Sequence, residues 1–385
     1  MNSLPFATAF AVLALIITTA FGIYWLGYSP INQTADATIP VMDGEVAYRV
    51  EEVVRGLEVP WGIVFTSSTR MLITERPGRI RVVENGTLRE APLHTFDEVS
   101  SGGEEGLMSL TLHPQYASNK YVYTAYAYQG SEGMRVDVVR FKDEGDSISD
   151  IIPIVRDIPA ARFHAGCELA FGPDGKLYIT TGDATDGELA QDLNSLAGKI
   201  LRVNDDGSIP EGNPFPQSPI WSYGHRNPQG IAWNSKREMY ETEHGPSGFD
   251  GPGGGDEVNK IVMGGNYGWP LVSHEKTKEG TVSPLLVFTP AEAPSSAMIY
   301  SGKLFPQFKD NLFFGALRGE NLMRVSLVDG AASGFDRLFR EEYGRIREVI
   351  EGPDGAIYFA TSNQDGRGSP AEGDDRIFRI VKREE

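Results

Sequence analysis

The chain has 385 residues, 44 of them glycine and 24 proline, spread along its whole length, a pattern of many short elements joined by tight turns rather than one low-complexity tract. A formal net charge of −18 argues against a nucleic-acid partner, because phosphate binding needs an excess of lysine and arginine. The single cysteine, Cys167, rules out an intrachain disulfide and reads as a small packed residue rather than a reactive thiol.

In chain order, Phe6 to Tyr28 is almost wholly apolar and uncharged, and the first basic residue is Arg49. Such a stretch is long enough to cross a bilayer as one hydrophobic helix. Residues 1–28 therefore read as an N-terminal transmembrane anchor or as a cleaved secretory signal. The absence of a basic leading region and of a small-x-small site before Pro30 favours the anchor. Either reading places the remainder outside the cytoplasm. Residues 29–46 are polar with scattered small residues and read as a linker.

From Val46 onward short strands alternate with Gly, Pro, Asn and Asp, and no long amphipathic helix is expected; Leu189 to Leu196 supplies at most a short helical turn. A repeat is visible. Gly172-Pro173-Asp174-Gly175-Lys176-Leu177-Tyr178-Ile179-Thr180 returns as Gly352-Pro353-Asp354-Gly355-Ala356-Ile357-Tyr358-Phe359-Ala360. The Asp-Gly supplies a turn and the alternation after it a strand. Weaker copies give six anchors, Leu72, Val122, Tyr178, Tyr240, Phe313 and Tyr358, about 45 to 73 residues apart, near the period of a four-stranded blade with its loops. The expectation is an all-β fold, a six-bladed β-propeller over residues 47–385; an array of β-sandwiches is the alternative.

Several residues carry possible chemistry. His164 lies just before the repeat strand of its unit and Asp183 just after it, so a hairpin would bring a base and its orienting carboxylate to one rim. Arg226, followed by Asn227, sits in a loop bounded by Gly224 and Pro228; a guanidinium fork there suits anionic oxygens. Gly245-Pro246 forms a turn whose carbonyls could meet on a hard cation, and Asp256-Glu257 with Gly265-Asn266-Tyr267-Gly268 could build a second oxygen-rich site. Arg345 and Arg347 are two apart, on one face if they lie on a strand. Each has a bland alternative, a core histidine, a surface ion pair, a plain turn or an exposed edge. Together they describe a rim suited to a compact polyanion.

These motifs resemble the pyrroloquinoline-quinone (PQQ) dependent aldose sugar dehydrogenases of the glucose/sorbosone dehydrogenase family. The resemblance runs from about Val53 to Ile380 and rests on Trp61-Gly62, Glu105-Gly106-Leu107, Phe163-His164-Ala165-Gly166, Gly198-Lys199-Ile200-Leu201-Arg202, Gly224 to Gly230, Glu243 to Pro246, Asp256-Glu257-Val258-Asn259, Asn266 to Pro270 and Arg345-Ile346-Arg347. It implies a six-bladed propeller with PQQ over one end and oxidation of aldoses at C1 to lactones. His164 would be the general base for hydride transfer to PQQ, oriented by Asp183, with Arg226 stabilising the developing negative oxygen. Asn227, Arg345 and Arg347 would touch the cofactor. The Gly245 and Pro246 carbonyls would hold a PQQ-bound Ca2+, and Asp256, Glu257 and the Tyr267 carbonyl a second Ca2+. Glu104 stands where a cofactor-contacting Gln is common, and Arg318 takes the place of a Lys. His244 replaces a Gln, and a glycine-rich insertion, Ser247 to Gly255, follows it, so substrate preference does not carry over. With no haem motif in the chain, an external electron acceptor, a quinone or a small redox protein, is implied. A Ca2+-dependent lactonase-like hydrolase and a non-catalytic binding propeller are the other classes.

Overall fold

The computed structural model describes residues 36–41 and 44–383. The expected hydrophobic helix of residues 1–28 lies outside them. Of the expected linker, residues 36–41 and 44–46 are paired strand instead of tether: β1 (Asp36–Val41) runs antiparallel to β2 (Gly44–Arg55).

Six sheets follow around a ring. Blade one holds β3 (Pro60–Ser67), β4 (Arg70–Glu75), β5 (Arg79–Glu84) and β6 (Thr87–Leu88), with β7 (His94–Thr95) also on β5. Blade two holds β8 (Leu107–Leu112), β9 (Tyr121–Gly130), β10 (Gly133–Asp143) and β11 (Ile148–Pro159). Blade three holds β12 (Leu169–Phe171), β13 (Leu177–Thr181), β14 (Lys199–Val203) and β15 (Ile220–Tyr223). Blade four holds β16 (Pro228–Trp233), β17 (Met239–Glu243), β18 (Asp256–Ile261) and β19 (Leu286–Phe288). Blade five holds β20 (Pro294–Ile299), β21 (Leu312–Ala316), β22 (Asn321–Val328) and β23 (Ala331–Leu338). Blade six holds β24 (Ile346–Glu351), β25 (Ile357–Thr361) and β26 (Arg376–Lys382), and β2 with β1 completes it. The ring thus closes by pairing the first described strands onto the last. The fold is the expected six-bladed propeller, and each anchor residue falls on the second strand of its blade. Among the described residues helix is confined to short turns such as α1 (Tyr116–Asn119) and α2 (Glu188–Gln191), the latter overlapping the start of the expected helical turn.

The two Gly-Pro-Asp-Gly copies fold alike. Gly175 and Gly355 take positive φ (73° and 84°), which glycine adopts without a Cβ clash. Gly172 N donates to the Lys176 carbonyl and Gly352 N to the Ala356 carbonyl, both at 2.9 Å. Tyr178 and Tyr358 each reach back to the turn aspartate, at 3.2 and 3.0 Å. Contrary to simple alternation, β13, β17, β21 and β25 are buried at every residue. A blade's second strand has a neighbouring blade on each face, so both faces are covered. The core therefore lies between blades: Phe313, Leu322, Phe359 and Phe378 fill the gap of blades five and six, and Tyr123, Val138, Ile179 and Leu201 that of two and three.

Five of the six inner strands carry a register shift near their first residues, at Pro60/Ile63, Leu107/Leu110, Pro228/Gly230, Pro294/Ala297 and Ile346/Glu348. Bulges re-aim side chains at the rim of a barrel-like ring. That rim carries the site.

Candidate active site

A cavity of about 540 Å³ opens at the end of the ring where inner strands begin and second strands finish. Glu104, His164 and Arg345 enter it from segments just before inner strands. Arg76, His244 and Arg318 enter from segments just after second strands.

His164 and Asp183 are brought together as the hairpin reading required. His164 Nδ1 and Asp183 Oδ1 are 2.7 Å apart, both side chains buried. A carboxylate partner favours the tautomer with the proton on Nδ1, which in the neutral ring leaves the Nε2 lone pair free. Asp183 is held in turn: Oδ2 accepts from Trp269 Nε1 at 2.8 Å, Oδ1 from Thr185 N at 2.8 Å, and its own N–H donates to the Arg226 carbonyl at 2.8 Å. The backbone is pressed tight here. A Cβ on Gly182 would stand 2.0 Å from the His164 carbonyl oxygen. His164 itself has φ of 56°, left-handed strain of the kind held at functional sites by surrounding contacts. Cys167, two residues past Ala165, is fully buried, and burial pushes its thiol well above the ordinary range, as suits a packing residue.

Arg226 is placed differently from the expectation. Its guanidinium stands beside a smaller pocket rather than on the main cavity wall. Nε pairs with Asp250 Oδ2 at 2.7 Å, and the terminal nitrogens donate to the His244 carbonyl and Ser247 Oγ, each at 3.1 Å. The glycine-rich insertion thus supplies a counter-charge that an isolated reading of Arg226 could not foresee.

The other cofactor candidates converge. Arg318, Arg345 and Arg347 all line the cavity, with Arg76 and Arg367 adding charge. Arg318 is exposed, and no salt bridge involves it among the described residues. Arg345 pairs with Asp365 at 2.7 Å, and Arg347 donates to Gln229 Oε1 at 3.0 Å and lies over the Trp61 ring. Arg345 precedes β24 rather than sharing a strand face with Arg347; the bulge turns both inward. Glu104 accepts from His164 N at 3.3 Å and Arg367 at 2.8 Å. Asn227 Oδ1 accepts from Gln229 Nε2 at 3.0 Å. Its Nδ2, and the Nε of Arg347, are buried donors without a partner. Buried orphan donors are costly; that of Arg347, beside four further arginines on the cavity wall, fits an anionic, oxygen-rich group, whereas Asn227 is fully buried and does not line the cavity.

The oxygen-rich sites separate. Asp256 faces the main cavity, and its oxygens accept from Gly245, Glu292 and Ala293 amides at 2.8, 2.7 and 2.6 Å. Glu257, the next residue on β18, points to the opposite face, beside Tyr267 in a pocket of about 10 Å³, room for one water-sized sphere. Asp256 therefore does not share a site with Glu257 and Tyr267, because strand neighbours alternate faces. Instead Glu241 and Glu243 join Glu257: Asn259 Nδ2 bridges all three at 3.1, 3.2 and 3.1 Å. Burial, then the charge of Glu243, pushes the Glu241 and Glu257 carboxyls well above the ordinary range. His225, Glu241 and Glu243 bring ligand atoms within 4.8 Å of one another, and Glu241 Oε1 and Asn259 Oδ1 have no partner. A cation would satisfy this cluster. The Pro246 carbonyl accepts from Gly254 N at 3.1 Å, which still leaves it a second lone pair.

Asp365, Gln229, Trp269, Arg76 and Arg367 were not singled out from sequence. A signal existed for three of them. Arg76, Asp365 and Arg367 follow the second strands of their blades, the position Asp183 occupies in blade three.

The family model of glucose/sorbosone dehydrogenases matches residues 57–371. The aldose sugar dehydrogenase YliI of Escherichia coli is 33% identical over 335 residues, covering 80% of this chain and 89% of that protein. A Thermus thermophilus oxidoreductase structure described as a glucose dehydrogenase superposes with a TM-score of 0.79 at 41% identity, covering 87% of this chain and 100% of its own. The PQQ-bound aldose sugar dehydrogenase of Streptomyces coelicolor superposes with a TM-score of 0.77 at 33% identity, covering 92% and 99%.

Proposed function

The chain belongs to the glucose/sorbosone dehydrogenase family, and on that footing we propose that it is a PQQ- and Ca2+-dependent dehydrogenase that oxidises aldose sugars at C1 to lactones and passes the electrons to an external acceptor. The observation that carries the reading is the buried His164–Asp183 pair, 2.7 Å apart, on the edge of a cavity walled by five arginines, one of which, Arg347, keeps an unpartnered buried Nε. PQQ, when bound, supplies the hydride acceptor, since no side chain does two-electron redox chemistry of this kind.

The chain's own residues do the rest. Arg345 and Arg347, with Asn227 and Arg318, would hold the anionic cofactor, and Glu104 would border it. The Gly245 and Pro246 carbonyls would bind its Ca2+. Glu257 and the Tyr267 carbonyl would hold a second Ca2+, with Glu243 and Glu241 as neighbouring ligands. His164 Nε2 takes the proton of the C1 hydroxyl, and Asp183 fixes the ring and stabilises the imidazolium. Arg226 contributes positive potential from behind the Ser247–Asp250 loop. Its ion pair with Asp250 makes it a weaker oxyanion partner than a free guanidinium. Residues 1–28 would anchor the protein or route it out of the cytoplasm; no helix among the described residues is long and apolar enough to cross a membrane.

Purified protein supplied with PQQ and Ca2+ is expected to reduce an artificial dye with aldoses, and His164→Ala to keep PQQ affinity while losing turnover by about 10²–10⁴-fold. Bound PQQ with no dye reduction across a broad sugar panel sinks the activity. Near-normal turnover in His164→Ala assigns the base elsewhere.

A further inference from the structure

Among the described residues, the large hydrophobic side chain with the greatest exposure is Phe249, at 65%, and it lies on the wall of the cavity. It sits in the glycine-rich insertion, between Gly248, whose φ is 95° and whose Cβ position meets nothing within 4 Å, and Asp250. The loop closes on itself through Gly254 N to the Pro246 carbonyl at 3.1 Å. It is tied down beyond by Gly255 N to Thr289 Oγ1 at 3.0 Å.

The ring is nonetheless fixed. It stacks on the His164 imidazole with centroids 5.7 Å apart and planes at 26°. The Arg226 guanidinium lies 6.0 Å from its centroid. Asp250, the next residue, grips Arg226 Nε at 2.7 Å and accepts from Ser247 N at 2.9 Å. One short loop therefore puts an aromatic face next to the base and a carboxylate on the nearest buried cation. Glycine-flanked loops do not hold a side chain by their own packing; here the hold comes from Arg226. Phe163 supplies a second half-exposed ring on the cavity wall, covered on one face by Arg367 at 5.3 Å.

An exposed, immobilised aromatic face in a binding cavity recognises a flat apolar surface. The surface an aldopyranose offers is the C–H face of its ring. We propose that Phe249 is a specificity-determining residue that stacks on the C–H face of the sugar and delivers its C1 hydroxyl to His164, and that Asp250 is the positioning residue that holds Phe249 in place through Arg226. This rests on the proposed sugar oxidation, and it adds a substrate contact within the insertion.

The test has two arms. In apoprotein, saturation-transfer NMR with glucose is expected to show transfer to the ring C–H protons. Phe249→Ala should lose it, and Phe249→Tyr should restore it. Asp250→Asn should weaken transfer and speed proteolytic nicking within residues 247–255. In protein reconstituted with PQQ and Ca2+, Phe249→Ala should raise KM by about three- to tenfold and lower kcat, with PQQ affinity unchanged. Transfer to the C–H protons that is equal in wild type and Phe249→Ala overturns the stacking role. Unchanged nicking and transfer in Asp250→Asn overturn the positioning role. A wild type that shows transfer yet never reduces dye sinks the redox reading and leaves the sugar contact standing.

Discussion

His164 can act as a base only while its Nδ1 proton is pinned, and the pin at 2.7 Å is itself fixed by Trp269 and Thr185. The histidine and its carboxylate were legible because hairpin geometry links residues on either side of one strand pair. The partner of Arg226 was not, because Asp250 lies in a loop with no period to read. A second acid left unread is Glu168, which precedes β12 and receives the Ser109 hydroxyl at 2.8 Å. Glu348, on the inner strand of blade six, lies close enough for the charge of Glu168 to act on it. Burial holds the Glu168 carboxyl up at about 8, and Glu348 is raised by burial and by the charge of Glu168. An unfolded glutamate titrates near the model-peptide value of roughly 4.3. Between that value and about 8 the folded chain keeps a proton the unfolded chain has lost, so this group's contribution to stability falls as pH rises through that window. Thermal unfolding at pH 6 and pH 9 is expected to show a smaller drop in Glu168→Gln than in wild type, by roughly 2–4 °C. An equal drop would mean that Glu168 is already ionised below the window.

At the scale of the strand and turn, the same nine-residue pattern folds the same way twice, which is why six blades could be counted from two clear copies and four faint ones. The tyrosine of each clear copy returns to the aspartate of its own turn. In blade six, Asp354 also accepts from Ala356 N and Arg379, both at 3.1 Å. The Arg379 contact is exposed and adds little; the turn contacts are the ones that count. Asp354→Ala is expected to lower the denaturant midpoint by about 1 kcal/mol equivalent with an unchanged slope. A shift well below that would assign turn formation to Gly355 alone. The faces of these strands were not legible. Burial on both sides erases the period of two, so Thr180, Thr181, Glu241 and Glu243 look like surface positions in the sequence and are interior in the fold. For the same reason the acid cluster of blade four stayed hidden while the adjacent pair Asp256-Glu257 drew attention.

At the scale of the whole molecule, a ring of sheets has one seam, and its position decides which ends of the chain are indispensable. Here β2 pairs with β26 from Tyr48↔Lys382 to Arg55↔Arg376. Tyr48 and Val50 pack with Phe378 and Ile380, and Val54 with Ile377. Without β2 the last blade would expose a paired edge and an apolar face, each buried side chain forfeiting roughly 1.5–3 kcal/mol. The site depends on that closing blade, since Arg345 directly precedes β24 and Asp365 follows β25 of blade six, while His164 and Asp183 come from blade three. A chain starting at residue 36 is therefore expected to unfold in one transition and to bind PQQ with Ca2+ as the full chain does. One starting at residue 56 should unfold at least several degrees lower, or aggregate, and bind PQQ weakly. Equal stability of the two would show that β2 is dispensable and that three strands suffice for the closing blade. The full chain alone is expected in the membrane fraction. If its isolated form instead begins near residue 30, the leading segment is a removed signal, while the seam, which starts downstream of it, should behave as before.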